Sequence, residues 1–349
     1  MKKSLITGVT GQDGFYLSKL LLSKGHKVFG VKRRNSLINA TARIDKLLAN
    51  KNFIIIQGDM SDPFFLNNTI CKIKPDYIFN LAAMSHVKTS FDIPEYTTDV
   101  NSLGTLRILE VLRTNNLLKT KFYQASSSEI FGNSQKKTQN EKTEIAPASP
   151  YAATKAYSYW ITKIYRESYK LFACNGILFN HESPYRGETF VTRKIIRAAV
   201  RIKHNLEKKL TLGNLNSIRD WGHAEDYCEA MIKILNYSKA DDFVISSNNS
   251  ISVREFTIRA FRKLGIILEF KNKGLNEVGF VKDIVSSSIS HLKKSQIIVN
   301  VDKKYFRPTD VEYLKGDFSK AAKLLKWKPK KTLNDLINEM INFEETQIK

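Results

Sequence analysis

Lys3-Ser-Leu-Ile-Thr-Gly8-Val-Thr-Gly11-Gln-Asp-Gly14 reads as a short buried strand running into a glycine-rich turn, and an apolar-periodic helix, Phe15 to Lys24, follows it. Glycine is needed where a backbone turns sharply and approaches a pyrophosphate, and a helix N-terminus offers N–H groups and a positive dipole end. The Gly-x-x-Gly-x-x-Gly spacing alone is weak, because ordinary tight turns use the same residues. A strand before it and a helix after it supply the context of a dinucleotide site, with Gly8, Thr10, Gly11, Gln12, Asp13 and Gly14 as its expected cradle.

The second strand, Lys27 to Lys32, ends in Arg33-Arg34-Asn35-Ser36, where dinucleotide folds recognise the adenosine ribose. An acidic residue there binds a free 2′-hydroxyl, whereas arginine favours a 2′-phosphate, so NADP is expected rather than NAD. A solvated basic loop is the competing explanation. Further on come strand Phe53 to Gln57, a helix capped by Ser61 or Asp62 and running to Lys72, strand Tyr77 to Leu81, a helical stretch Val100 to Asn116, and strand Lys121 to Ala125.

This alternation predicts a Rossmann-type, doubly wound parallel sheet with ligands across the carboxyl ends of its strands. Asp59 and Met60 are then expected at the adenine, Leu81, Ala82 and Ala83 along the cofactor, and Ser126 to Glu129 at the reacting carbon. Residues 1–180 are expected to form the NADP-binding domain, with part of 210–247 returning to it. Residues 181–349 mainly form a smaller α/β domain that binds the substrate.

Tyr151-Ala-Ala-Thr-Lys155 adds chemistry. Residues four apart share a helix face, so the Lys155 ammonium can stabilise a Tyr151 phenolate and turn a phenol into a base. The spacing by itself arises by chance in many helices. Glu129 follows a strand end, where a carboxylate facing the crevice can act as general base and then acid; an exposed or helix-capping glutamate is the alternative. Past Tyr151, the aromatics Tyr157, Trp160 and Tyr165 are expected in core and subunit packing, on a helix reaching Leu171. A strand, Asn175 to Phe179, should follow.

The chain has 349 residues, 42% of them hydrophobic, with 16 glycines and 8 prolines, which excludes a disordered or collagen-like chain. No apolar stretch is long enough for a membrane span, and no secretory h-region follows Met1-Lys2-Lys3, so a cytoplasmic location is expected. Cys71, Cys174 and Cys228 form no paired motif and the six histidines show no ligand spacing, so free thiols and no metal are expected. The net charge of +22 would suit nucleic acid or another anionic partner. Its lysines are scattered without an aromatic-interleaved basic motif, so nucleic acid is not expected.

Arg219-Asp-Trp and Arg307-Pro supply guanidinium forks suited to a second pyrophosphate, although either arginine could equally serve a surface ion pair. Gly8 to Gly14, the Tyr151/Lys155 pair and Leu324 to Pro329 resemble the extended short-chain dehydrogenase/reductase superfamily, and within it Thr10 to Gly14, Asn80-Leu-Ala-Ala83, Ser85-His-Val87, Tyr159-Trp-Ile-Thr162, Asn175 to Pro184, Arg186 to Lys194, Arg219 to His223 and Tyr305-Phe-Arg-Pro308 resemble the GDP-mannose 4,6-dehydratase family. The likeness spans nearly the whole chain.

The resemblance implies a redox-neutral elimination on a GDP-linked sugar, with hydride moving from C4 to C6 and the cofactor regenerated each turn. It implies Tyr151 and Lys155 as the base pair at C4, Ser127 on the C4 oxygen and Glu129 at C5. By similarity, Ser85, Tyr96, His181 and Arg186 contact the dinucleotide. Ser85, Asn180, Val191, Lys194, Gly213, Arg219, Arg307 and Glu312 contact the GDP-sugar, and the assembly is a homo-oligomer, dimer or tetramer, in which Arg34 serves across an interface.

Three positions depart from the family pattern: Ser127 replaces threonine, Met84 replaces glutamine and Tyr185 replaces arginine. Met84 is expected beside the hexose pocket, which leaves GDP-manno-heptose as an alternative substrate. A nucleotide-sugar epimerase or reductase would share Tyr151 and Lys155 without needing Glu129. A non-catalytic Rossmann module binding nucleic acid would need none of the three.

Overall fold

In a computed structural model that describes residues 1–35, 41–134, 136–287 and 289–348, seven strands form one parallel sheet. Their spatial order is Asp242–Ile245, Ala173–Leu178, Lys121–Ser127, Tyr77–Asn80, Lys3–Thr7, Lys27–Lys32 and Phe53–Gln57. Every neighbouring pair is parallel. The chain reverses its winding between Lys3–Thr7 and Tyr77–Asn80, and such a switch point opens a crevice at the strand ends.

Both faces of this sheet are covered, which explains why its strands are nearly continuous runs of buried apolar residues. Helix Gln12–Ser23 packs beside helix Ala224–Asn236 on one face. Helices Pro63–Ile73, Gly104–Thr114 and Pro150–Tyr169 cover the other. Asp62, rather than Ser61, caps Pro63–Ile73, its carboxylate accepting from the Phe65 N–H at 2.9 Å.

The expected helix Val100 to Asn116 differs in kind. Asp99–Leu103 is a π-helical turn, and the regular helix begins only at Gly104. The extra residue in that turn exposes the Asn101 carbonyl to side chains, and Thr105 Oγ1 and Ser158 Oγ donate to it at 2.8 and 2.9 Å. The helix carrying Tyr151 ends at Tyr169, two residues before Leu171, because Lys170 adopts a left-handed conformation with φ of 58°.

The segment Ile266 to Val301 forms most of a second sheet, ordered Ile266–Lys271, Val278–Ile284, Ile297–Val301 and Leu210–Leu212. Helices Val191–Lys203, Val253–Lys263 and Leu333–Ile348 pack with it around Ile196, Phe256, Phe261 and Met340. Ile218–Asp220 lies between Ser250–Ser252 and Tyr313–Leu314 in a small sheet bordering both halves of the molecule. That placement brings Arg219 to the edge of the crevice.

Candidate active site

The switch-point crevice widens into a cavity of about 1240 Å³, room for more than one small ligand. At one end lies the glycine turn. Gly8 has φ of +70°, and a Cβ there would stand 2.8 Å from the Ala82 Cα, so the turn is pressed against the small residues after Tyr77–Asn80. A Cβ on Gly14 would meet the Val9 carbonyl oxygen at 2.5 Å, which places the helix start directly over the strand end. Gly11 is looser, with only the Gly8 carbonyl at 3.2 Å. A dinucleotide pyrophosphate fits this cradle: two glycines bring the backbone close, and the N-terminus of Gln12–Ser23 faces the lining.

Gln12 and Asp13 do more than line the cavity. The Gln12 amide donates to the His181 carbonyl at 3.0 Å and accepts from Ser183 Oγ at 2.7 Å. His181 Nε2 meets Asp13 Oδ2 at 2.8 Å, and its Nδ1 meets the Phe179 carbonyl at the same distance. Both ring nitrogens of His181 are thus occupied within the protein. Burial opposes the charge on each partner, but their attraction outweighs it, so Asp13 titrates below and His181 above the ordinary value.

Tyr151 sits one residue into its helix because Ser149 caps it, accepting from the Ala152 N–H at 3.1 Å, and Pro150 occupies the first turn. Arg166 clamps the same helix to the sheet edge through a two-pronged ion pair with Asp242, at 2.8 and 2.7 Å. The Ser127 hydroxyl faces the Tyr151 phenol and favours its ionised form. Lys155 is buried and donates to the Ala125 carbonyl at 2.9 Å. Burial pushes the Tyr151 phenol up to about 12, with the nearby Ser127 hydroxyl pulling it back, and burial lowers Lys155 to about 8.

Glu129 is buried beside this pair, on the short turn Ser128–Phe131 that Ser127 caps by accepting from the Glu129 N–H. Its Oε1 lies 3.5 Å from Arg307 Nη1. Arg219 is also buried, and its Nη2 stands 3.6 Å from Asp310 Oδ1. Farther along the cavity, the Lys194 ammonium rests 3.3 Å from the centre of the Tyr305 ring, and the Arg186 guanidinium 3.8 Å from that of Phe190.

Of the residues expected from sequence, the cavity gathers Gly8, Thr10 to Gly14, Leu81, Ala82, Ala83, Ser85, Ser127, Glu129, Tyr151, Lys155, Asn180, His181, Arg186, Val191, Lys194, Gly213, Arg219 and Arg307. Others lie elsewhere. Arg33 hydrogen-bonds the Tyr96 hydroxyl at the exposed end of its strand, away from the lining, and Arg34 and Asn35 are exposed next to it. Ser36 is outside the described residues. Asp59 is spent on Ser61, whose N–H and hydroxyl it accepts at 3.0 and 2.9 Å. Met60 is buried in the apolar cluster under the sheet, and Glu312 is exposed outside the lining. Met84 is absent from the lining although both its neighbours belong to it; Asn101 holds its backbone N–H and carbonyl at 2.8 and 3.2 Å.

Sequence reasoning missed Asp310, Arg43 and His86, which all line the cavity. Arg43 donates to the Tyr185 and Thr10 carbonyls at 2.8 and 3.2 Å, strapping the glycine turn. Among the described residues, no group of three or more His, Cys, Asp or Glu could hold a metal ion.

The chain matches the sequence model of the family described as GDP-mannose 4,6 dehydratase over residues 5–340. This chain belongs to the GDP-mannose 4,6-dehydratase family. It is 50% identical to the GDP-mannose 4,6-dehydratase of Yersinia enterocolitica over 355 residues, covering 100% of this chain and 95% of the relative. Identity is 51% to that of Vibrio cholerae, with 97% and 92% covered, and 46% to the human GDP-mannose 4,6 dehydratase, with 97% and 90% covered. The fold is that of dTDP-glucose 4,6-dehydratase from Bacillus anthracis in complex with NAD, with a TM-score of 0.79, 21% identity, and 99% and 97% of the chains covered. It is also that of RMD from Pseudomonas aeruginosa complexed with NADPH, with a TM-score of 0.74, 18% identity, and 99% and 100% covered.

Proposed function

We propose that this member of the GDP-mannose 4,6-dehydratase family binds NADP and converts GDP-mannose to GDP-4-keto-6-deoxymannose. The observation that carries the reading is one cavity in which Tyr151, Ser127 and Glu129 stand together beside the paired arginines Arg219 and Arg307. Hydride exchange needs a nicotinamide cofactor, and loss of water needs a carboxylate as well; the cavity supports both.

The glycine turn would hold the dinucleotide pyrophosphate, and the nicotinamide, when bound, supplies hydride acceptance from C4 and return to C6. Tyr151 Oη takes the proton of the C4 hydroxyl. Burial makes that phenol hard to ionise, and the Lys155 ammonium, 5.9 Å from the ring centre on the same helix, is the cation that assists it. Ser127 Oγ holds the C4 oxygen as it becomes a ketone. The ketone acidifies C5; Glu129 removes the C5 proton and then donates a proton to the C6 hydroxyl, which departs as water, and as hydride returns to C6 the proton held by Tyr151 passes through solvent to C5. Arg219 and Arg307 hold the GDP diphosphate, and Asn180, Val191, Lys194 and Gly213 complete the nucleotide end.

The choice of NADP over NAD rests on Arg33 at the end of the second strand, where its guanidinium and the Tyr96 ring lie together. Tyr157, Trp160 and Ile164 support a homo-oligomer: spaced three and four apart on helix Pro150–Tyr169, they share an exposed face rather than a core. The free cysteines Cys71, Cys174 and Cys228 fit a reducing, cytoplasmic compartment. Among the described residues no helix is long and apolar enough to cross a membrane.

Incubation of the purified protein and NADP with GDP-mannose, and separately with GDP-manno-heptose, tests the reading by product mass. Loss of one water from GDP-mannose without net change in NADP is expected. An unchanged mass, or net reduction of the cofactor, would refute it.

A further inference from the structure

Two cations and two anions share a small volume at the catalytic end of the cavity. Arg307 Nη1 lies 3.5 Å from Glu129 Oε1 and 4.0 Å from Asp310 Oδ1, and Arg219 Nη2 lies 3.6 Å from the same Asp310 oxygen. The other Asp310 oxygen is fixed, accepting from Asn214 Nδ2 at 3.1 Å and Ser217 Oγ at 3.2 Å. Asp310 therefore anchors both guanidinium groups and offsets their mutual repulsion. Arg307 Nη1 is buried, and among the described residues nothing accepts a well-formed hydrogen bond from it. A guanidinium within reach of two carboxylates, yet hydrogen-bonded by that nitrogen to neither, is free to exchange partners.

We propose that Arg307 is a shared cation: before substrate binds it neutralises the catalytic carboxylate of Glu129, and the diphosphate of the nucleotide sugar draws it away as the substrate binds. Asp310 is the positioning residue that keeps Arg307 within range of both anions. The inference rests on the GDP-sugar reading given above. Its consequence is that Glu129 is released as a base when substrate arrives. The charged and titratable neighbours of Glu129 in this arrangement are Arg307 on the 303–310 segment, Arg219 on its strand and the Tyr151 phenol on its helix. The diphosphate must overcome the Glu129–Arg307 attraction in order to bind.

Binding of GDP to the NADP-loaded protein, followed by calorimetry, tests this without turnover. Glu129→Gln removes the competing anion and should tighten GDP binding about three- to tenfold, the range expected for one partly buried ion pair. Some tightening would follow merely from removing a negative charge near a diphosphate, so the same change is made in an Arg307→Gln background, where it should be clearly smaller. Equal tightening in both backgrounds, or weaker GDP binding by Glu129→Gln alone, would overturn the shared-cation proposal. Arg307→Met, which also removes the charge while keeping the length of the side chain, provides a second background if the glutamine variant does not fold. Failure of GDP to bind the unaltered protein would instead count against the GDP-sugar reading itself.

Discussion

Lys155 Nζ stands 5.9 Å from the centre of the Tyr151 ring while donating to the Ala125 carbonyl at 2.9 Å, so the strand end, and not the phenol, fixes the ammonium. A buried ammonium with so little polar company is expensive, which is why Lys155 titrates near 8. Lys155→Met should abolish turnover and yet stabilise the cofactor-free protein. A drop from 10.5 to about 8 corresponds to about 3 kcal/mol, from which about 1 kcal/mol is lost with the Ala125 bond. The folded state binds the proton less tightly than the unfolded one, so the penalty is complete below pH 8. It fades as pH rises from 8 to 10.5 and is gone above. Melting temperatures of both proteins at pH 7 and pH 10 should show the gain at the lower pH and its loss at the higher; a variant less stable at pH 7 would contradict this.

Glu129→Gln keeps the shape of the side chain and loses its basicity, so folding and cofactor binding should persist while water loss falls by about 10²- to 10⁴-fold. Tyr151→Phe should block the preceding oxidation instead. In deuterium oxide the unaltered enzyme should place solvent deuterium at C5 and keep protium in the hydride carried from C4 to C6. Deuterium in place of the carried hydride at C6, read by NMR, would exclude internal transfer.

The glycines of the turn should separate fold from ligand. Gly14→Ala would force a Cβ to within 2.5 Å of the Val9 carbonyl oxygen, between helix and strand, and should lower the melting temperature as well as remove NADP binding. Gly11→Ala meets only one oxygen at 3.2 Å, so it should melt normally and still weaken NADP. Similar thermal losses in both would mean that the turn is tight throughout.

Arg33→Ala tests cofactor choice. Removing a guanidinium that pairs with a 2′-phosphate should weaken NADP about 10- to 100-fold and leave NAD nearly unchanged. Calorimetry with both cofactors checks it, and tighter binding of NAD than NADP by the unaltered protein would dismiss the 2′-phosphate assignment.

Trp160 is 46% exposed between Tyr157 and Ile164. Placing a charge there, as Trp160→Glu, should lower the sedimenting mass of the assembly without unfolding the chain. An unchanged mass would move the interface elsewhere.

The parallel sheet and its glycine turn were legible because strand, turn and helix each leave a local signature, and Tyr151 with Lys155 needs only helix periodicity to be placed on one face. The π-helical turn at Asp99–Leu103 was not, since one inserted residue barely disturbs the apolar pattern of the helix that follows. The sheet within 266–301 was hidden by shifts of register at Ile267/Leu268 and Gly279/Phe280, which break the alternation that marks a strand. Asp310 and Arg43 escaped for a different reason. Each sits among other charged residues in irregular chain, and only the folded structure brings Asp310 to Arg219 or Arg43 to Thr10.

The bonds from Gln12 to His181 and Ser183, and from Asp13 to His181, cross more than 165 residues of sequence to join the glycine turn to the strand His181–Glu182. These bonds tie the glycine turn and the strand His181–Glu182 into one wall of the cavity. The boundary formed by residues 304–310 is held differently: Asp310 accepts from Asn214, Ser217 and Asn133, while Tyr305 and Arg307 meet the opposite wall through an aromatic face and a 3.5 Å ion pair. The two walls of the cavity are thus tied in unlike ways, one by hydrogen bonds that bridge distant parts of the chain and the other mainly by charge and an aromatic face.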